Sequence, residues 1–439
     1  MKSIKIRLAL LTFIEFAVWG AYLTSLGSYL SNVGLQGSIG LFYAVQGIVS
    51  MFMPALIGII ADRWIPAQRT LSLCHLLAGA FMIAAGVYGM SAGNSPEFGT
   101  LFALYSISVA FFMPTIGLHN SVAYTALDKA GMDAVKHFPP VRVFGTVGFI
   151  VAMLFVNFTG FQNTYAQLVT SGVLSLVMVA YALTMPNCPV NNRKISGGFV
   201  EVFGLKAFAL FKQKQMAVFF IFSMLLGVSL QITNGFANPF IQAFGKIPEY
   251  ANDWGVNNAN ALISLSQMSE TLCILLIPFF LKRFGIKIVM LMSMVAWALR
   301  FGFFGIGNPG EGVWLFILSM IVYGIAFDFF NISGSLYVDS KTNASMRSSA
   351  QGLFMLMTNG VGATIGTLGA QVVIDRFVNS QTENEAIISG WHVSWLIFAG
   401  YALVIAILFM FVFNDRDSSR PIDAAGTVDA VSPEGMINE

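Results

Sequence analysis

The chain has 439 residues, of which 56% are hydrophobic and only 10% are charged, with 41 Phe residues and a mean hydropathy of +0.74. One water-soluble core cannot enclose so much apolar material, so the composition excludes an ordinary soluble domain and indicates a polytopic membrane protein. The net charge of +2 comes from dispersed basic residues, which argues against a nucleic-acid-binding face. The cysteines, Cys74, Cys188 and Cys273, show neither metal-ligand spacing nor a paired framework, so we expect them to be reduced.

Twelve apolar stretches are each long enough to cross a bilayer, which takes about 20 residues in a helix. Their continuous apolarity favours helices, because a barrel strand would alternate over about ten residues. The first stretch has no small-residue cleavage site and is read as a retained span rather than a signal peptide. The predicted fold is an all-α membrane protein with segments near 8–31, 38–61, 70–91, 99–125, 138–159, 164–186, 216–242, 258–281, 286–307, 312–337, 345–373 and 391–414.

Basic residues outside these segments gather on one face of the predicted bundle. Of the 23 Lys and Arg residues, Arg142 and Arg300 fall inside apolar segments, and only Lys246 and Arg376 fall on the face opposite the N-terminus. The remaining nineteen fall on the N-terminal face. Because short loops rich in Lys and Arg stay in the cytoplasm, the pattern predicts that both termini are cytoplasmic.

A polar connection between the sixth and seventh segments divides the chain. We predict an N-terminal six-helix bundle over 1–186, a cytoplasmic linker over 187–215 and a C-terminal six-helix bundle over 216–414. Within the linker, 200–211 is amphipathic enough to lie on the membrane surface as a short helix, although a plain linker fits equally well. The tail over 415–439 is poor in apolar residues, and we expect it to be disordered.

The turn after the second segment carries a short motif, Gly58, Asp62 and Arg63, and the turn after the eighth repeats a basic cluster at 281–287. Two six-helix halves with such loops are typical of secondary transporters that move around a midplane site. The first turn resembles the Gly-x-x-x-Asp-Arg loop of the major facilitator superfamily, but it lacks the following Gly and the usual dense basic cluster. A basic turn after an apolar helix can also serve only to set topology.

The chain contains no recognisable chemical or nucleotide-driven motor. No Gly-x-x-x-x-Gly-Lys-Ser/Thr phosphate cradle, Gly-x-Ser-x-Gly elbow or His-Glu-x-x-His helix occurs, and the four histidines are scattered along the sequence. A membrane-embedded enzyme is therefore disfavoured, and we expect no metal and no cofactor apart from a coupling ion. Transport driven by an ion gradient is the simpler interpretation.

Two carboxylates, Glu270 and Asp328, lie well inside apolar segments, where an ionised group is costly and is a functional-site hypothesis by default. Neither can reach water from the lipid face. Glu15 lies inside the first segment, and its cost also points it to the interior, although nothing near it in sequence defines a role.

Amide side chains recur at helical spacing beside one of these carboxylates. Gln267 lies three residues before Glu270, and Gln231 lies three before Asn234, so each pair shares a helix face. Amides and a carboxylate that converge on one cavity suit a neutral, multiply hydroxylated or heterocyclic ligand.

Aromatic residues accompany the second carboxylate. Tyr323 and Phe327 lie four apart on segment ten, and Asp328 follows directly, so a flat ring could be stacked while its edge is hydrogen-bonded. Arg142 and Thr146 lie four apart on segment five.

Each of these patterns has a structural alternative. Amides in membrane helices often hydrogen-bond between helices, and an aromatic stripe is more often packing than a ligand platform. Arg142 lies about a turn from the cytoplasmic end and could reach the interface. Arg300 could do the same at the outer end or neutralise a buried carboxylate, and we expect a structural role for it.

Five sequence stretches together resemble the nucleoside:proton symporter family, and the likeness extends from the first segment to the twelfth. It implies a major facilitator fold in the bacterial inner membrane that imports purine and pyrimidine nucleosides, such as uridine and adenosine, with protons. The stretches are FPPVRVFGT at 138–146, SMLLG at 223–227, QITN at 231–234, SQMSE at 266–270 and YGIAFDFFNISGS at 323–335.

The resemblance also implies which residues bind the substrate. It favours binding over an interfacial position for Arg142, and it departs at Glu15, where the similar permeases carry Gln. Asp328 and Glu270, with Glu15 as a further candidate, are expected to carry the proton. The implied binding residues are Arg142, Thr146, Gln231, Asn234, Gln267, Glu270, Tyr323, Phe327 and Asp328.

Two alternatives stay open from the residues alone. A proton-coupled sugar transporter on the same scaffold would use similar polyol chemistry. A membrane receptor or sensor is disfavoured, because the chain has no sizeable soluble output domain. We expect a monomer in either case.

Overall fold

A computed structural model of the protein describes residues 2–190, 205–342 and 347–414, and the secondary structure in these ranges is helical throughout. Nine helical stretches among the described residues are long and apolar enough to cross a membrane. The other three predicted segments are helical as well. The first is broken into two helices, and the eighth and ninth run together as Ala259–Ile306. The predicted all-α fold of twelve segments is confirmed.

Spans 1 to 6 form the N-terminal half. Their bounds agree with the predicted segments to within several residues, and two of the spans are interrupted. Span 1 comprises Lys2–Gly20 and Leu26–Asn32, span 2 Ile39–Arg63, span 3 Ala67–Ala92, span 4 Phe98–Phe112 and Thr115–Lys129, span 5 Ala134–Phe158, and span 6 Ala166–Leu183.

Spans 7 to 12 form the C-terminal half. Span 7 comprises Lys214–Leu230 and Ile232–Ala243, spans 8 and 9 are 259–284 and 286–306, span 10 is Val313–Lys341, span 11 is 347–379, and span 12 is Asn384–Val412. Span 11 contains a π-helical stretch, Leu356–Gly362, between two α-helices.

The linker and tail are only partly covered. A 3₁₀ helix, Leu205–Lys212, precedes span 7 and overlaps the surface helix predicted at 200–211. Most of the rest of the predicted linker, residues 191–204, and the tail at 415–439 lie outside the described residues.

Glycine breaks the long helix at the turn between spans 8 and 9. Gly285 adopts φ 75° and ψ 171°, a conformation that side chains with a Cβ rarely take. It is part of the basic cluster at 281–287, so the chain reverses direction where the repeated turn was predicted.

The two halves meet along spans 2 and 11 and along spans 5 and 8. Among the described residues, every side-chain hydrogen bond between the halves lies toward the end opposite the termini. Thr24 donates to Asn260 (2.5 Å), Ser28 donates to Asn238 (2.7 Å), and the amide of Asn157 donates to Asn258 (2.8 Å). This end of the molecule is therefore closed by polar contacts. The site described next lies on the side of these contacts that is nearer to the termini.

Candidate functional site

Span 8 contributes the first carboxylate of the site. Gln267 is 9% exposed and Glu270 is half-buried, one turn apart on the same helix face. The helix is continuous here, so the predicted shared face is formed as expected. The Gln267 amide lies beside the hydroxyl of Tyr323 on span 10.

Asp328 on span 10 is the second carboxylate, and it is 5% exposed. Within the described part of the chain, its Oδ2 atom has no hydrogen-bond partner. A buried carboxylate oxygen without a partner is costly, so such groups are usually kept for a ligand, an ion or a proton. Asp328 and Glu270 interact electrostatically, which places both on one site.

An aromatic platform lies next to these carboxylates. The rings of Tyr323 and Phe327 are stacked, with centroids 5.6 Å apart and an interplanar angle of 17°. Arg300 lies over the Tyr323 ring at 4.4 Å and donates to the Ser319 carbonyl (2.7 Å). Arg300 is only 2% exposed, so it does not extend to the interface, and its contacts fit the structural role expected for it.

Span 7 is interrupted at the position of its two amides. Gln231 lies between the two helices of the span at φ −95° and ψ −9°, and Asn234 donates to the Gln231 side chain (2.9 Å). Broken helices in membrane proteins occur where the freed backbone lines a polar cavity. The two amides, which were predicted to share a helix face, are joined by this hydrogen bond.

In the N-terminal half, Arg142 and Thr146 lie one turn apart on span 5. The Arg142 guanidinium lies over the ring of Phe16 at 4.0 Å, which holds it away from the lipid face. Its charge acts on both Glu270 and Asp328 across the boundary between the halves. The structure thus places Arg142 within electrostatic range of Glu270 and Asp328.

Glu15 lies elsewhere, inside the N-terminal half, where it is paired with His75 (2.9 Å). The histidines are scattered along the sequence, but the fold brings two of the four, His75 and His119, to Glu15. These partners lie on three different spans, so helical spacing gave no signal for them. The only hint was a histidine inside an apolar segment.

The superfamily-like turn lies at the far end of span 2, away from the site. Gly58 has open space where a Cβ would be, and Arg63 is in the last turn of the helix. The side chain of Asp62 lies outside the described part of the structure.

The arrangement has a defined chemical capacity. An aromatic face, the Gln267 amide and two carboxylates can hold a flat polar ring with hydroxyl groups, and the carboxylates can also hold a proton. No group of three or more His, Cys, Asp and Glu residues suited to a metal occurs within the ranges that the structure describes.

Twelve helices in two halves, with titratable groups where the halves meet, define a secondary transporter of the major facilitator type. The xylose transporter XylE from E. coli has the same fold, with a TM-score of 0.66 at 14% identity, over 94% of this chain and 96% of that one. The sequence profile of the nucleoside H⁺ symporter family matches residues 1–418, and the chain belongs to that family.

Relatives of known sequence and structure agree with this assignment. The xanthosine permease of Escherichia coli (strain K12) is 48% identical over 94% of this chain and 96% of its own length. The nucleoside permease NupG of the same strain is 45% identical, over 95% and 98%. A crystal structure of the nucleoside transporter NupG superimposes with a TM-score of 0.84 at 45% identity, covering 94% of this chain and 100% of that one. The chain is therefore a proton-coupled nucleoside transporter of the inner membrane, and neither an enzyme nor a receptor.

Proposed function

We propose that the protein imports both purine and pyrimidine nucleosides, with uridine and adenosine among its substrates, by alternating access. The halves over 1–186 and 216–414 would rock around a central site while a proton moves with the nucleoside. The observation that carries this proposal is the convergence of Glu270, Asp328 and the Tyr323–Phe327 stack with Arg142 of the opposite half.

Each side chain of the site has a proposed role in holding the nucleoside. Phe327 stacks the base, because any nucleobase offers a flat face to an aromatic ring. The amides of Gln231, Asn234 and Gln267 hydrogen-bond the base or the ribose. Tyr323 packs against the face of Phe327 that is turned away from the base. Arg142 and Thr146 complete the site from the N-terminal half.

Asp328 and Glu270 are the proposed proton carriers, and they also contact ribose hydroxyls. Two carboxylates near one another in an apolar surrounding cannot both be ionised cheaply, so at least one holds a proton in the resting state. The positive charge of Arg142 favours the ionised form of these carboxylates whenever the two halves approach each other. Rocking therefore changes the proton affinity of the pair, which is the condition for coupling.

Orientation and assembly follow the charge pattern. The excess of Lys and Arg on the face of the termini supports a cytoplasmic location for both termini. The closed end described above would then face the periplasm, and the site would open inward. We propose a monomer that uses no cofactor apart from the proton, with the Gly58, Asp62 and Arg63 turn acting as a conformational loop.

Uptake into proteoliposomes tests the proposed function. Labelled uridine and adenosine are measured with and without an imposed proton gradient, for the wild type and for Asp328→Asn and Glu270→Gln. Both nucleosides should accumulate only with the gradient, and at least one variant should lose accumulation while still exchanging nucleoside across the membrane.

A matched control is Glu311→Gln, which neutralises an exposed loop carboxylate and should transport as the wild type does. If no nucleoside shows gradient-stimulated uptake, the proposed function is wrong. If both neutralised variants keep full accumulation, Asp328 and Glu270 are not the proton carriers.

A further inference from the structure

A polar cavity of about 340 Å³ lies between the two halves, near the end opposite the termini. The N-terminal half lines it with Ser28 and Asn32 of span 1, and the C-terminal half lines it with Gln242 of span 7 and Trp391 of span 12. Pockets that bind small molecules commonly measure about 300–1,000 Å³. The cavity is therefore large enough to hold one small molecule.

The cavity opens away from the substrate site. Ser28 and Trp391 are buried, at 2% and 5% exposure, whereas Gln36, Lys246 and Gln381 are exposed. These three exposed residues lie in the connections that follow spans 1, 7 and 11. The mouth of the cavity therefore faces the water at the end opposite the termini.

The lining suits a neutral ligand that makes several hydrogen bonds. Among the residues that line the cavity, Lys246 carries the one charge. The amides of Gln36, Gln242 and Asn379 each offer donors and an acceptor, which is what ribose hydroxyls and the edge of a base require. Trp391 adds aromatic surface on the buried side.

The buried side of the cavity is bonded to the contacts that close this end of the molecule. Ser28 and Gln242 both donate to Asn238 Oδ1, each at 2.7 Å. Asn238 is fully buried, and its Nδ2 lies 3.5 Å from the Asn260 oxygen that accepts from Thr24. Two groups of the cavity lining therefore hold the amide that stands at the junction of the halves.

Span 7 connects the cavity to the proposed nucleoside site. Asn234, Asn238 and Gln242 lie four residues apart in one helix, Ile232–Ala243, so they share a helix face. Lys246 follows four residues later, at the mouth. Polar groups on one helix face thus extend from the proposed substrate contact Asn234, past the closing bonds, to the cavity.

We infer that this cavity is an entry site for nucleosides, which holds an incoming molecule in front of the closed end before the central site becomes accessible. The inference rests on the proposed function, which supplies the ligand class and the direction of transport. A hydroxyl of the nucleoside that bonds Gln242 or Ser28 replaces one of the bonds to Asn238. Binding at the entry site thereby weakens the contacts that keep this end closed.

Protection of a cysteine at the mouth tests the entry site in the purified full-length protein. The native cysteines Cys74, Cys188 and Cys273 are buried, so Gln36→Cys supplies a reactive thiol at an exposed position. Uridine should slow the reaction of this thiol with a maleimide by about tenfold at about ten times its dissociation constant. Gln213→Cys, exposed at the opposite end, is the matched control and should react equally fast with and without uridine.

A second substitution separates the entry site from the central site. In Gln36→Cys combined with Phe327→Ala, the uridine concentration for half-maximal protection should be unchanged, because Phe327 does not line the cavity. A rise of roughly tenfold, as expected for loss of base stacking at the central site, would show that protection originates there and would overturn the inference. Equal protection by glucose, which has no base, would overturn the assignment to nucleosides.

A cysteine on the other half provides an independent measurement. Gln381→Cys lies at the same mouth and should be protected at the same uridine concentration as Gln36→Cys, and it replaces that variant if Gln36→Cys does not fold. The inference is wrong if neither thiol is protected by uridine up to about 10 mM, since KM values of enzymes commonly reach only about 1 mM.

The failures of the two proposals are distinguishable. Absence of nucleoside uptake by the wild type contradicts the proposed function, whatever the result of the protection experiment. Normal wild-type uptake with unprotected thiols at both positions contradicts only the entry site.

Discussion

Single residues of the site act through stacking and charge in an apolar surrounding. Phe327 packs parallel to Tyr323, which in turn lies under the guanidinium of Arg300. Three layers of flat groups are thereby held in register by Ser319, whose carbonyl accepts from Arg300. A nucleobase that stacks on Phe327 would extend an existing array, and little ordering would be needed when it binds.

Replacement of Phe327, the ring on which the base is proposed to stack, tests this role. Phe327→Ala should raise the KM for uridine by roughly tenfold or more, because base–aromatic stacking contributes about 1–3 kcal/mol. Initial uptake rates at varied uridine concentration measure the change. Phe327→Tyr keeps the aromatic face and is the matched control, and equal KM values for the Ala and Tyr variants would contradict the stacking role.

Arg300 is a residue-scale test of a different kind. Arg300→Lys should lower the thermal stability and weaken uridine binding together, because lysine lacks the planar guanidinium that covers Tyr323 and bonds Ser319. Melting temperature and binding affinity of the purified protein measure the two effects. Unchanged uridine affinity in a variant of reduced stability would confine Arg300 to a structural role.

At the scale of helices, close packing depends on small residues where two spans meet. Gly366 on span 11 faces span 7 so closely that an added methyl group would overlap the Val228 carbonyl oxygen. Gly362 is similarly close to the Met224 carbonyl. Membrane helices rely on such approaches, because lipid offers little hydrophobic force to drive helices together.

The span 7 to span 11 contact can be tested with one methyl group. Gly366→Ala should destabilise the protein by about 1–3 kcal/mol through overpacking. Gly369→Ala, three residues away on the same helix, meets open space and should have little effect. Thermal unfolding in detergent compares the two variants, and an equal loss of stability would contradict the packing explanation.

The start of span 4 offers a pH-dependent test at an exposed helix end. Glu97 accepts from the backbone amides of Gly99 and Thr100, and hydrogen bonds from Thr100 hold the pKa of its carboxyl group below the ordinary 4.5. Its stabilising contribution is therefore complete above pH 4.5 and is lost as the pH falls through the lower folded-state pKa. Glu97→Gln should reduce this part of the acid sensitivity of the melting temperature, whereas Glu311→Gln should not.

At the scale of the whole molecule, the side-chain hydrogen bonds that join the halves among the described residues all lie at one end. Asn260 illustrates this, because it accepts from Thr24 (2.5 Å) and donates to the Met153 carbonyl (3.1 Å), both in the opposite half. Where spans 2 and 11 meet, the backbone amide of Gly40 donates to the side chain of Gln371 (2.7 Å). A transporter that alternates must break these bonds in each cycle, so they set the balance between its two open states.

The balance can be shifted at that end. Asn260→Ala removes two bonds between the halves, worth about 1–2 kcal/mol together, and should increase the population opened there by roughly tenfold. Spin labels on the loops at 92–98 and 307–313 measure the separation. Asn384→Ala removes a bond within one half and is the control; equal distance distributions in both variants would contradict the gating role.

The sequence by itself determined that the chain lies in a membrane, that it is all-α with twelve spans, and to which family it belongs. Hydropathy, loop charge and motif order carry this information because they are local properties of the chain. It also determined the pairs that lie on one helix, such as Gln267 with Glu270 and Tyr323 with Phe327, since helical spacing defines them. Only the tertiary structure decided which spans meet. The charge of Arg142 acts on two carboxylates of the other half, Arg300 covers Tyr323, and Glu15 pairs with His75, because partners on different helices are brought together by packing that no single stretch of sequence specifies.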